Sequence, residues 1–187
     1  MPTKDHIGDQ RDLQRSPDFA SGDLLLFYRA RGRDRVISLV TGSPFFHVAL
    51  ARDARVILEA VPRGVRRRDL RTEPGRHPYL VIPGFADHRA AAVRWAETQV
   101  GDGYDSVDIG VIVLHRIFRL FAVNYTIGDR YTCGEFVARA YQEAGKRLFP
   151  DIATEDVVPA DFKKFLPEPL RNARSSREIS AADANSP

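Results

Sequence analysis

Two apolar runs, Phe45 to Leu50 and Val56 to Ala60, flank the short stretch Arg52-Asp53-Ala54. No other feature narrows the fold as much. Parallel strands need a crossover of about a dozen residues, so strands this close in sequence pair antiparallel. A three-residue turn sets Ala51 opposite Arg55 and, further back, His47 opposite Glu59. One face of the hairpin then carries Phe46, Val48, Leu50, Val56, Leu58 and Ala60, all apolar and suited to a core. A slip of one residue would mix the two faces, so burial supports this register. The second face sets an imidazole beside a carboxylate, with Cβ atoms about 4.5–5.5 Å apart. Such a partner fixes the imidazole tautomer and raises its basicity, as a general base requires. A surface His–Glu pair on an exposed strand is the plainer alternative.

The remaining signals fill out an α+β domain. Leu24 to Tyr28, after Gly22-Asp23, has the length of a buried strand, and Tyr79 to Ile82 reads as another before Pro83-Gly84. Helices are expected over Asp34–Val40, Ala86–Val100 and Tyr131–Ala144, with a short one over Pro159–Leu166. Gly101-Asp102-Gly103 and Gly145 stop the middle two. The chain has 187 residues, 43% of them apolar, which supports one core. The folded domain is expected over 21–168. Residues 1–20 read as a flexible arm and 169–187 as a disordered tail.

Within the third helix, Thr132-Cys133-Gly134-Glu135 matches a capping box, with an apolar stripe through Phe136, Val137, Ala140, Tyr141 and Ala144. Thr132 is the expected N-cap and Cys133 the first helical residue. There the free N–H groups and the positive helix end favour thiolate over thiol. The same N–H groups can receive an oxyanion. Gly134 removes a side chain beside the sulfur, so a substrate carbonyl can come close. A buried structural cysteine is the alternative.

Other chemistries find little support. One cysteine permits no internal disulfide and no thiolate zinc site, and it suits a reducing compartment. His6, His77, His88 and His115 lack metal-ligand spacing, and no cofactor is expected. There is no Gly-x-Ser-x-Gly elbow, no phosphate-binding glycine loop and no dinucleotide fingerprint. The first twenty residues show no apolar signal segment. The apolar run 107–123 is interrupted by His115, Arg116 and Arg119, which a membrane-spanning helix disfavours. A cytoplasmic location is therefore expected. The net charge of +3 comes from Arg, clustered over Arg63–Arg76. That cluster reads as a solvated surface or a site for an anion or membrane, and no nucleic-acid partner is expected. The bulky 109–121 segment reads as a core helix, an acyl-cleft wall or a peripheral lipid contact.

Five strings occur in order: Gly22-Asp23-Leu24-Leu25-Leu26-Phe27, Gly42 to Leu50, Leu58-Glu59-Ala60, Gly103-Tyr104-Asp105 and Tyr131 to Val137. Together they resemble the circularly permuted papain-like branch of the NlpC-type superfamily, related to lecithin:retinol acyltransferase-like enzymes. The resemblance covers roughly residues 20 to 165. It implies a permuted papain-like fold, in which the His strand precedes the Cys helix. It implies Cys133 as nucleophile, His47 as base and Glu59 as the orienting third residue. Tyr104 would line the cleft or help bind the oxyanion. Gly134 departs from the pattern, since many members carry Ser there; the change leaves the nucleophile intact and alters the oxyanion region. The implied activity is hydrolysis of an amide in a peptide or N-acyl compound through an acyl-enzyme. The alternatives are a lipid-directed acyltransferase or thioesterase, and a non-catalytic module binding an anionic partner. The substrate would be a small molecule, a peptide or a lipid-linked compound; oligomeric state is not legible.

Overall fold

Every residue of Leu24–Tyr28 (β1) is buried, as a strand covered on both faces requires. The computed structural model describes residues 18–28, 42–61, 64–73, 77–101 and 131–184. Four further strands join β1: β2 (Phe45–Ala51), β3 (Val56–Val61), β4 (Gly64–Asp69) and β5 (Tyr79–Ile82). They form one antiparallel sheet in the order β4-β3-β2-β1-β5. The expected Asp34–Val40 helix, the 109–121 segment, Tyr104 and most of the 1–20 arm lie outside the described residues.

The β2–β3 hairpin forms where expected, but its turn sits one residue later. Ala51 pairs with Ile57 and Leu50 with Leu58. Asp53 is the reason: its Oδ1 accepts from the backbone N–H of Arg55 and of Val56, each at 2.9 Å. An aspartate that binds the backbone two residues on opens a turn. Arg52 N then donates to Val56 O at 2.8 Å and closes it. The register moves by two residues, which preserves both faces. Continued along the strands, it sets Glu59 opposite Ala49 and diagonal to His47, correcting the direct His47–Glu59 opposition.

A bulge separates β1 and β2 at one end. Phe27 pairs with His47 but Tyr28 pairs with Phe45, leaving Phe46 as the extra residue. Phe46 therefore leaves the face assigned to it. It joins Leu25, Phe27, Ala49, Ala51 and Ile57 in a second apolar cluster, and Phe45 enters the main core.

The main core fills the space between the sheet and the helices. Leu24, Leu26, Val48, Leu50 and Leu58 meet Phe136, Val137, Ala140 and Tyr141 there. These last four lie on α2 (Cys133–Glu143), which packs on β2, β3 and the helix α1 (Arg89–Thr98). Both helices are shorter than expected by a few residues at their ends. Helix α2 ends in a Schellman motif: Lys146 N donates to Tyr141 O and Gly145 N to Gln142 O, with Gly145 at φ 85°. Pro159–Phe165 is a 3-10 helix, preceded by a shorter one at Thr154–Asp156.

Besides that short 3-10 helix, a strand and two helices were absent from the sequence reading. Strand β4 lies inside the arginine cluster and pairs with β3 from Val56–Asp69 to Val61–Gly64. Residues 169–184 also depart from the expected disordered tail. They contribute to α3 (Glu168–Asn172) and α4 (Ser176–Ala184), and Leu170 and Ile179 are buried in the main core. A polar composition hid these two apolar anchors. No helix among the described residues is long and apolar enough to cross a membrane.

Candidate active site

Helix α2 begins as its capping box dictates. Thr132 Oγ1 accepts from Glu135 N at 3.3 Å, and Glu135 Oε2 accepts from Thr132 N at 3.4 Å. Cys133 is thus the first helical residue, where N–H groups lack intrahelical acceptors. The Gly134 N–H reaches the Cys133 sulfur, and so does the Val48 N–H of β2. The helix start and the histidine strand are in direct contact.

His47 joins two partners. Its side chain lies against that of Cys133, and each shifts the other's pKa. Its Nε2 meets Glu59 Oε2 at 2.9 Å. The His47 side chain retains 17% exposure, whereas Glu59 retains 1%. The Phe27 ring, across the strand pair, lies 5.4 Å from the imidazole and limits its movement. With Nε2–H on the carboxylate, Nδ1 is the ring nitrogen left to exchange a proton with the thiol.

The electrostatics favour a thiolate–imidazolium pair. Burial opposes charge on His47, but hydrogen bonds and charges from Cys133 and Glu59 outweigh it and raise its pKa to about 9. Burial likewise opposes the Cys133 thiolate. The bond and charge of His47, with the Val48 and Gly134 N–H groups, nevertheless hold the thiol below its ordinary value. Burial would raise Glu59, yet His47, Arg68 and Arg66 bring it down to about 2. Each shift is the one an opposite charge produces in a confined site.

Glu59 owes its buried charge to β4. Arg66, its direct cross-strand partner, binds Oε1 through Nε at 2.9 Å and Nη2 at 2.8 Å. Arg68 approaches Oε2, the oxygen shared with His47, with Nη1 at 3.4 Å. The Arg68 guanidinium lies 5.3 Å over the Phe27 ring. Burial pulls Arg68 below its ordinary value, with Glu59 opposing and Arg66 adding to the fall.

Cys133, His47 and Glu59, far apart in sequence, therefore come together as the sequence expects. Tyr104 lies outside the described residues. Gly134 has a different structural role from the one expected: a Cβ there would sit 2.3 Å from Val157 O. The missing side chain admits the 157–158 backbone, not open space, and the residue serves the sulfur through its N–H. Arg66 and Arg68 went unnoticed. Their signal was the Pro-Arg-Gly string that follows the Glu59 strand in the sequence, a turn signal that would set the next residues antiparallel to it. No family model matches the chain, and none of the curated proteins matches it.

Proposed function

We propose that the protein is a cysteine-nucleophile hydrolase that cleaves an amide, in a peptide or an N-acyl compound, through an acyl-enzyme. One observation carries the reading: His47 lies against the thiol of Cys133, close enough for each to shift the other's pKa, while its Nε2 meets the buried carboxylate of Glu59 at 2.9 Å. Nucleophile, base and orienting group in one line is the geometry that activates a weak nucleophile. The order of the site, histidine strand before cysteine helix, agrees with the permuted papain-like fold that the sequence resembles.

In the proposed cycle the proton of Cys133 resides on His47, and the thiolate attacks the carbonyl carbon. The carbonyl π electrons move to oxygen, where N–H groups at the start of α2 meet the charge. The tetrahedral intermediate collapses, the C–N bond breaks and His47 protonates the departing amine. Water then attacks the thioester, giving a proton to His47. The acid leaves and the thiolate–imidazolium pair is restored. Glu59 holds the imidazole in one tautomer throughout and stabilises its charged form.

A generic acyl donor tests the chemistry without knowledge of the natural substrate. Incubation with p-nitrophenyl acetate should release p-nitrophenol and add one acetyl group to Cys133, seen by mass spectrometry. Cys133→Ala should fold, take up no acetyl at that position and release no burst. Alkylation of Cys133 by iodoacetamide should persist well below pH 8.5, about the pKa of a free cysteine. A thiol that alkylates only as a free cysteine does, with no acetyl adduct, would overturn the proposal.

A further inference from the structure

Arginine 68 is oddly served for a buried guanidinium. Its side chain retains 14% exposure, and its Nε and Nη2 have no hydrogen-bond partner among the described residues. Nε–H and Nη2–H point the same way within the guanidinium plane, which is the geometry that grips a carboxylate by both oxygens. The nearest carboxylate is Glu59, touched only through Nη1 at 3.4 Å. A carboxylate already in contact with Nη1 can turn towards the empty two-donor edge of the same guanidinium. In the structure it does not, because Arg66 occupies Oε1 with two donors and leaves Oε2 to His47.

We infer that Arg66 is a positioning residue: by gripping Oε1 it keeps the Glu59 carboxylate from turning into the idle edge of Arg68 and so holds Oε2 on His47. Arg66 and Arg68 compete for one carboxylate, and the outcome decides whether His47 keeps its orienting partner. This role rests on the catalytic reading of His47 and Cys133, and Arg66 acts only through Glu59. The side chain of Arg66 is 46% exposed and its Nη1 also reaches Glu73 Oε2 at 3.4 Å, so its grip is anchored from the solvent side.

The two rival accounts of Arg66 differ in sign. As a mere neighbouring cation it would repel the imidazolium, and its removal would raise the His47 midpoint. As a positioning residue it holds the His47 partner in place, and its removal lowers that midpoint. The test follows the imidazole titration by NMR of histidine-labelled protein, with p-nitrophenyl acetate acylation measured in parallel. Wild-type His47 should titrate near 9. In Arg66→Gln the midpoint should fall towards 6.5, the ordinary value, and acylation of Cys133 should slow. In Arg66→Gln/Arg68→Gln the rival edge is gone, Glu59 returns to His47 and the midpoint should rise again. Arg66→Lys keeps a cation but not the two-donor grip, and should move the midpoint the same way as Arg66→Gln. It carries the test if the glutamine variant does not fold. A midpoint that rises or stays put in the single variants overturns the positioning role. So does a double variant no higher than Arg66→Gln. A wild-type Cys133 that takes up no acetyl ends the catalytic proposal itself, a separate and earlier failure.

Discussion

His47 ties catalysis to stability, and the tie has a definite sign. Its folded pKa, about 9, lies above its ordinary 6.5. A raised pKa means that the folded state binds the proton more tightly. Its contribution to stability is fully present below about pH 6.5 and is lost as pH rises through about 9. Glu59 works the other way, being depressed to about 2 from 4.5. Its contribution is present above about pH 4.5 and is lost only as pH falls through about 2. Cys133, held below its ordinary value in the fold, contributes in the opposite sense over the same range. The His47 slope is therefore read in Cys133→Ala. Urea unfolding of that variant should show stability falling between about pH 6.5 and 9, a slope that adding His47→Gln removes. Parallel curves for the two proteins over that interval would show that the imidazole gains nothing from its partners. The residues behind this prediction were readable in the sequence, because an imidazole and a carboxylate sat at same-face positions of a hairpin. The two arginines were not, because a run of like charges reads first as solvated surface.

Elements bring those residues within reach, and their ends matter more than their middles. The start of α2 was legible because a capping box is written in four consecutive residues. The β2–β3 turn was misplaced by one residue because Asp53 acts through its side chain, which a count of strand positions does not register. Strand β4 was missed because arginines are poor evidence for a strand, although charge suits an exposed sheet edge. Gly134 shows how tightly α2 is seated. The backbone of Val157 and Val158 passes so close that a Cβ would meet Val157 O at 2.3 Å and Val157 C at 2.9 Å. A backbone neighbour cannot swing aside as a side-chain tip can. Gly134→Ala should therefore push the helix start from the 157–158 segment and cost about 1–3 kcal/mol, the usual range for overpacking. Because the Gly134 N–H serves the sulfur, iodoacetamide alkylation of Cys133 at neutral pH should slow in the same variant. Unchanged unfolding midpoint and unchanged alkylation would mean that the contact relaxes without strain.

At the scale of the whole molecule, the site depends on parts remote from it. Tyr141, on α2, donates to Gly22 O at 2.6 Å and accepts from Phe85 N at 3.4 Å. Asp23, beside Gly22, accepts from Gly84 N at 2.8 Å and pairs with Arg89 of α1 at 3.1 Å. One polar knot thus joins the cysteine helix, the entry to β1 and the start of α1. The end of the described chain contributes by packing instead. Leu170 of α3 and Ile179 of α4 enter the same core as Phe136 and Val137, the residues behind Cys133. The sequence conceals this, since a single isoleucine among Ser, Arg, Glu and Ala does not make a periodic stripe. A dispensable tail would tolerate truncation of these two side chains. A core segment would not, because each leaves a cavity that its neighbours fill only in part. Leu170→Ala and Ile179→Ala should each lower stability by about 2–5 kcal/mol in urea unfolding. Near-neutral effects of both would return residues 169–184 to the status of an appendage. If the losses appear, the core that seats the cysteine helix extends almost to the end of the described chain, and deletions beyond residue 168 should impair folding and Cys133 reactivity together.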